Sequence, residues 1–209
     1  MEIEHAISKL REWIKAVPIG TPMLLGPATS KVIYEPLGVV CIMGSWNFPF
    51  YTTLAPLIYA IASGNTAVIK PSELAPHSLR ALMLMINRYL DSDAYICIEG
   101  QVQVAIQLAK TKFDCICFTG STEKGKLVAE AAAKNLVPCL LELGGKSPVV
   151  VDKDADIDLA AKKVALGRFL NAGQACIAPD YVLVEDSVSS KFLSLVTLYI
   201  KEFWVSAKD

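Results

Sequence analysis

From Pro36 to Ile69 the chain carries not one Asp, Glu, Lys or Arg. A stretch that long without charge has to leave water, either into a bilayer or into a core. Gly38, Gly44, Asn47, Pro49, Pro56, Gly64 and Asn65 interrupt it, so only Phe50 to Ala62 reads as clean apolar helix. That falls short of the ~20 residues needed to cross a membrane, and no transmembrane segment is expected. The run is core. Strands on either side of that helix, Gly38–Met43 and Thr66–Ile69, then have to be buried on both faces, as in a parallel sheet covered by helices. The 53% apolar content and mean hydropathy of +0.42 agree with that. They agree equally with a fragment whose apolar faces need a further partner.

The same alternation continues downstream. Residues 76–90 read as a helix with Leu79, Leu82, Met83 and Ile86 on one face. Tyr95–Ile98, a helix at 101–110, Cys115–Phe118 and a helix at 122–135 follow. Such repetition predicts an α/β fold with a doubly wound, Rossmann-like parallel sheet. A second, incomplete α/β region starts near Gly144, with strand Pro148–Val151, helix 156–170, strand Tyr181–Val184 and helix 188–203. Ahead of the sheet, Ile3, Ile7, Leu10 and Ile14 predict a helix over 2–16. Residues 17–37 read as a hairpin or arm, with extended runs at Met23–Leu25 and Val32–Tyr34.

At 209 residues the chain is one domain and a good part of another. Its net charge of −1, without blocks of like sign, excludes nucleic acid or an anionic membrane surface as the main partner. The N-terminus lacks the basic and apolar regions of a signal peptide. Six cysteines without C-x-x-C or zinc-type spacing predict a reducing, cytoplasmic setting and no metal.

Several segments carry candidate chemistry. Phe118-Thr-Gly-Ser-Thr-Glu-Lys-Gly125 ends a strand and opens a helix, where backbone N–H groups meet phosphates. Gly120 and Gly125 match the outer glycines of G-x-G-x-x-G, but Thr122 replaces the middle one, and a plain strand-to-helix turn reads equally well. Lys70 and Glu73 stand at a strand's carboxyl end and could grip a ribose, or form a solvated pair with Ser72 as helix cap. Asn47, in the loop Gly44-Ser-Trp-Asn-Phe-Pro49, offers an N–H₂ in an uncharged place, as an oxyanion donor requires; a turn-forming Asn is the plainer reading. Glu142 sits in an apolar strand end, where burial would raise its pKa towards general-base use, unless it serves a structural salt bridge. Cys41, Cys97, Cys115, Cys117 and Cys139 lie in strand-like runs and read as small buried hydrophobes. Cys176 instead follows a glycine-bearing turn after a long helix, and a thiolate is the strongest side-chain nucleophile near neutral pH. With only His5 and His77 in the chain, both on predicted helices, a Cys–His relay is poorly supported and Glu142 is the leading base.

Six segments in order resemble the aldehyde dehydrogenase superfamily, and within it the class 3 (fatty and aromatic aldehyde) branch. They are Glu35-Pro-Leu-Gly-Val-Val, Trp46-Asn-Phe-Pro, Lys70-Pro-Ser-Glu, Phe118-Thr-Gly-Ser-Thr, Leu141-Glu-Leu-Gly-Gly-Lys-Ser-Pro and Gly173-Gln-Ala-Cys-Ile-Ala-Pro-Asp-Tyr. The resemblance covers nearly all of 1–203 and implies NAD(P)+-dependent oxidation of a small-molecule aldehyde to a carboxylic acid. It implies Cys176 as nucleophile, Asn47 and the Cys176 N–H as oxyanion donors, and Glu142 as the base for thioester hydrolysis. It implies a cofactor site of Gly120, Ser121, Thr122, Glu123, Lys124 and Gly125 at the pyrophosphate, Lys70 and Glu73 at the ribose, and Trp46. NAD is preferred over NADP because Glu73 crowds a 2′-phosphate. The implied organisation is a helix and oligomerisation-type arm (1–37), an NAD-binding domain (38–143) and the start of a catalytic domain (144–209). Ser45 stands where many relatives carry Pro. The chain is also less than half the family's length, without the segment that binds the nicotinamide ribose or the strand that closes the homodimer. A non-catalytic relative that binds nucleotide or joins an assembly is the alternative.

Overall fold

The computed structural model describes residues 1–205. The last four residues of the region read as 144–209 lie outside the described residues. The chain divides into two compact units, Met1–Glu142 and Leu143 onward.

The first unit is built on a five-stranded sheet with strand order β5-β4-β3-β6-β7. Its strands are β3 (Val39–Met43), β4 (Thr66–Lys70), β5 (Tyr95–Cys97), β6 (Cys115–Gly120) and β7 (Cys139–Leu143). β3 pairs in parallel with both β4 and β6, and β4 with β5. The chain winds outward from β3 to β5, then returns to the other side of β3, so the expected doubly wound parallel sheet is present. Side chains alternate across it with the period of two that a pleated strand imposes. Cys41 and Met43 join Ile116, Leu108, Phe113 and Val128 on one face. That face is covered by α4 (Val102–Lys110) and α5 (Thr122–Ala133). Val40 and Ile42 join Ala67, Ile69, Leu57 and Ile86 on the other, under α2 (Pro49–Ala62) and α3 (Pro76–Tyr89). Of the uncharged run, residues 40–43 and the Thr53, Leu57 and Ala60 face of α2 are core as expected, whereas Leu37, Phe50, Tyr51 and Ile61 are exposed; no helix among the described residues is long and apolar enough to cross a membrane.

Ahead of the sheet, α1 (Glu2–Trp13) lies on α2, where the Tyr59 hydroxyl donates to Glu2 Oε2 at 2.7 Å. α1 stops short of residue 16 because Val17 precedes Pro18, which disfavours helical geometry there. Val17–Ile19 (β1) pairs antiparallel with Ser30–Val32 (β2). A hairpin is present, but not between the expected runs: Met23–Leu25 is a 3₁₀ turn between its strands, and of Val32–Tyr34 only Val32 lies in β2. The Leu25 and Gly26 N–H groups donate to the Pro22 and Met23 carbonyls, at 2.9 and 3.1 Å, and close the turn locally.

The second unit holds a parallel pair, β8 (Pro148–Val151) and β9 (Tyr181–Val184). Helices α6 (Ile157–Phe169) and α7 (Asp186–Ile200) pack on each other, and Val151, Ile157, Ala161 and Phe192 form a small core. α7 starts two residues earlier than its apolar spacing suggests. The Glu185 carboxylate accepts the Ser187 N–H at 3.2 Å and fixes the first turn.

Candidate functional site

In an open α/β sheet, ligands bind beyond the carboxyl ends of the strands, where the strand order reverses. Here the reversal lies between β3 and β6. Met43, the last residue of β3, is in register with Lys70 of β4 and with Phe118 of β6. Three loops therefore leave one edge side by side: Gly44–Phe48, Pro71–Ala75 and Gly120–Ser121.

On β4, Lys70 is only 4% exposed, and its Nζ donates to Glu73 Oε2 at 2.7 Å and to the Pro71 carbonyl at 3.3 Å. Partial burial disfavours the Glu73 carboxylate, but the hydrogen bond and charge of Lys70 outweigh it. They leave this carboxyl below its ordinary range. The pair is thus a buried lysine holding an ionised acceptor at the sheet edge, not a solvated pair. Nor does Ser72 cap α3. Its hydroxyl accepts the Leu74 N–H at 3.3 Å within the turn, and the cap position belongs to Ala75.

On β6, the Ser121 hydroxyl caps α5 by accepting the Lys124 N–H at 3.4 Å. Thr122, Glu123 and Lys124 are exposed on the first turn, while Gly125 is buried against the sheet side. At Gly120 a Cβ would lie 2.6 Å from Phe118 Cζ, so a side chain there would have to displace that ring. The open helix N-terminus has the form of an anion site.

On β3, the Gly44 N–H donates to the Lys70 carbonyl at 3.0 Å, tying the loop to β4. Ser45 is buried at 9% exposure. Its N–H donates to Thr52 Oγ1 at 3.0 Å, and its hydroxyl donates to Asn47 Oδ1 at 2.6 Å. Trp46 is half-exposed beside it. Neither Ser45 nor Thr52 stands out in the sequence as a site residue. A hydroxyl two residues before the candidate amide is the one signal it offers.

Glu142 departs from expectation. It is exposed, because β7 is an edge strand whose residues alternate between half-buried and exposed, and Glu142 falls on the open side. The buried carboxylate expected from its apolar neighbours is not there.

In the second unit, Cys176 is exposed, in contrast to the other five cysteines. Burial pushes the Cys41 and Cys97 thiols up to about 12, and Cys117 up to about 11. Cys115 and Cys139 are also raised, chiefly by burial. The Cys176 loop begins with three consecutive left-handed residues, Asn171 (φ 51°), Ala172 (φ 56°) and Gly173 (φ 74°). Two of them are not glycine, which marks a strained turn held by its surroundings. Contacts on its far side hold the loop. Ser147 Oγ donates to the Cys176 carbonyl at 3.2 Å, Lys146 Nζ meets Asp180 Oδ2 at 2.9 Å, and Arg168 donates to the Pro179 carbonyl at 3.2 Å. No cluster of His, Cys, Asp and Glu among the described residues is suited to a metal.

The aldehyde dehydrogenase family pattern matches residues 2–208, and the chain belongs to that family. Among curated relatives it is 45% identical over 203 residues to aldehyde dehydrogenase family 3 member A2 of Pongo abelii, covering 97% of this chain and 42% of that protein. It is 44% identical to the dimeric, NADP-preferring aldehyde dehydrogenase of Canis lupus familiaris, covering 97% of this chain and 45% of the relative. Among solved structures, the substrate-bound state of Staphylococcus aureus AldH superposes with a TM-score of 0.93 at 43% identity, covering 97% of this chain and 44% of that one. The chain thus spans less than half the length of these relatives.

Proposed function

We propose that this chain carries the cofactor-binding and nucleophile-bearing part of an NAD(P)+-dependent aldehyde dehydrogenase, with residues 38–143 as the dinucleotide domain and 144–209 as the start of the catalytic one. One observation carries the chemistry. Of six cysteines, Cys176 alone is exposed, on a loop that follows a strained turn and is held by Ser147, Lys146 and Arg168. An aldehyde carbonyl is electrophilic, and addition of the Cys176 thiolate gives a thiohemiacetal. The family resemblance gives the Asn47 amide and the Cys176 N–H the task of stabilising the oxygen as it gains charge. Loss of hydride leaves an acyl thioester on Cys176. Glu142 then takes a proton from water, and the attacking hydroxide releases the acid.

The first unit fits a nicotinamide dinucleotide. The open N-terminus of α5, with Ser121 to Gly125, suits the pyrophosphate, and Trp46 flanks the same edge. Lys70 as donor and ionised Glu73 as acceptor suit the two hydroxyls of a ribose. Such a cofactor supplies the hydride acceptor when bound. A negative Glu73 at the ribose disfavours a 2′-phosphate, so NAD is preferred, with NADP accepted less well. Homodimerisation is proposed for the whole enzyme, by analogy with the dimeric dog relative, rather than for this chain alone.

The test is single-turnover NADH formation from the chain, NAD+ and an aromatic or medium-chain aldehyde. A burst stoichiometric with protein, absent in Cys176→Ala, is expected. A folded chain that binds NAD+ but gives no burst would leave nucleotide binding or an assembly role instead.

A further inference from the structure

We infer that Ser45 is a positioning residue, whose hydroxyl orients the Asn47 amide so that its N–H₂ end serves the developing oxyanion. This rests on the reading of Asn47 as the oxyanion donor proposed above, and it adds what makes that donor effective.

A primary amide can present either its oxygen or its nitrogen to a substrate, and only the nitrogen stabilises an anion. Free rotation about χ2 would leave the two ends interchangeable. At 2.6 Å, the contact from Ser45 Oγ to Asn47 Oδ1 is short for a hydroxyl donor, and Ser45 is almost fully buried. The bond fixes the amide oxygen on Ser45, and the nitrogen then lies on the opposite branch of the planar amide. Donation to Oδ1 also draws electron density from nitrogen, which strengthens the N–H₂ as a donor.

Ser45 is itself fixed. Its N–H donates to Thr52 Oγ1 at 3.0 Å, and Thr52 Oγ1 lies 3.3 Å from Ser45 Oγ. Thr52 sits in the first turn of α2, with its hydroxyl 3.1 Å from the Phe48 carbonyl. The order from helix to amide is therefore Thr52, Ser45, Asn47. A rigid element holds a hydroxyl, and the hydroxyl holds the donor, as a preorganised oxyanion site requires.

Ser45→Ala removes the hydroxyl and keeps the backbone N–H to Thr52, so the loop retains its tie to α2. Ser45→Thr restores the hydroxyl. Asn side-chain ¹⁵N labelling reads the amide directly. Ser45→Ala should shift the Asn47 Nδ2–H₂ resonances and narrow the difference between its two protons, and Ser45→Thr should return them. In single turnover, losing one oxyanion donor costs about 100-fold or more, so Asn47→Ala should slow the burst by about that factor, and loss of orientation alone by about 10-fold. The double variant Ser45→Ala/Asn47→Ala should be no slower than Asn47→Ala, with the change in kcat rather than KM. Unmoved resonances in Ser45→Ala overturn the inference whether or not the chain turns over. Independent, multiplying effects of the two substitutions overturn it too. If Asn47→Ala leaves the burst unchanged while Cys176→Ala abolishes it, the oxyanion reading of Asn47 falls instead.

Discussion

Replacing Gly44 with alanine puts a methyl group where β3 gives way to the Asn47 loop. The new Cβ would collide with Thr53 Oγ1, and would lie 3.4 Å from Thr53 Cβ and 3.5 Å from Thr52 Oγ1. Thr53 is fully buried in α2 and cannot swing into solvent. Its hydroxyl also has no hydrogen-bond partner among the described residues, so no existing bond is lost if it is deleted. Overpacking of this kind costs about 1–3 kcal/mol. At about 3 °C per kcal/mol, the first unit should melt roughly 3–9 °C lower. Thr53→Ala removes the obstructing atom together with an orphaned polar group, so alone it should change stability by less than about 1 kcal/mol. In the double variant the collision is gone, and Gly44→Ala should then cost less than about 0.5 kcal/mol beyond Thr53→Ala. Urea and thermal unfolding followed by circular dichroism on the four proteins close the cycle. If Gly44→Ala melts with the wild type, or if Thr53→Ala fails to relieve it, the packing argument for glycine at this position is wrong.

Other outcomes follow from the same geometry. Glu73 has its pKa depressed in the fold, so its pairing with Lys70 stabilises the protein above the ordinary carboxyl value of 4.5 and is lost as pH falls below it. Lys70→Met should therefore flatten the stability decline below pH 4.5 and weaken NAD+ binding, both readable by titration and calorimetry. Thiol labelling with a maleimide at about pH 8 should modify Cys176 first, with Cys41 and Cys97 protected by burial and by pKa values of about 12. Rapid labelling of either by peptide mapping would contradict the packed sheet. Ser121→Ala removes the N-cap of α5 and should cost about 1 kcal/mol while raising the Kd for NAD+. Gly173→Ala, at φ 74° with Arg168 O 2.9 Å from the added Cβ, should destabilise the Cys176 turn by about 1 kcal/mol or more.

What the sequence disclosed depended on periodicity. The two-sided burial of β3 and β4 follows from an uncharged run broken by turn residues, and the sheet is as expected. Helices α2 and α3 fall within a residue of their apolar spacing. Edge positions were less legible. Glu142 lies in a run as apolar as the central strands, yet β7 has a neighbour on one side only, and the alternation that exposes Glu142 depends on that tertiary placement. Of the left-handed residues at 171–173, Gly173 and Asn171 tolerate that geometry, whereas Ala172 adopts it under constraint rather than by preference. Ser147 and Ser45 left no periodic pattern at all. Each acts through hydrogen bonding, and the Ser147 bond joins residues 29 apart in sequence, so only the folded chain reveals it.

The central claim is that Cys176 is the residue that carries the acyl group. The direct measurement is peptide-resolved mass spectrometry of the Glu142→Gln variant, quenched in acid after mixing with NAD+ and benzaldehyde. A benzoyl adduct on the peptide containing Cys176, dependent on NAD+, is the predicted result. An adduct on another cysteine, or none while NADH is formed, would contradict the account.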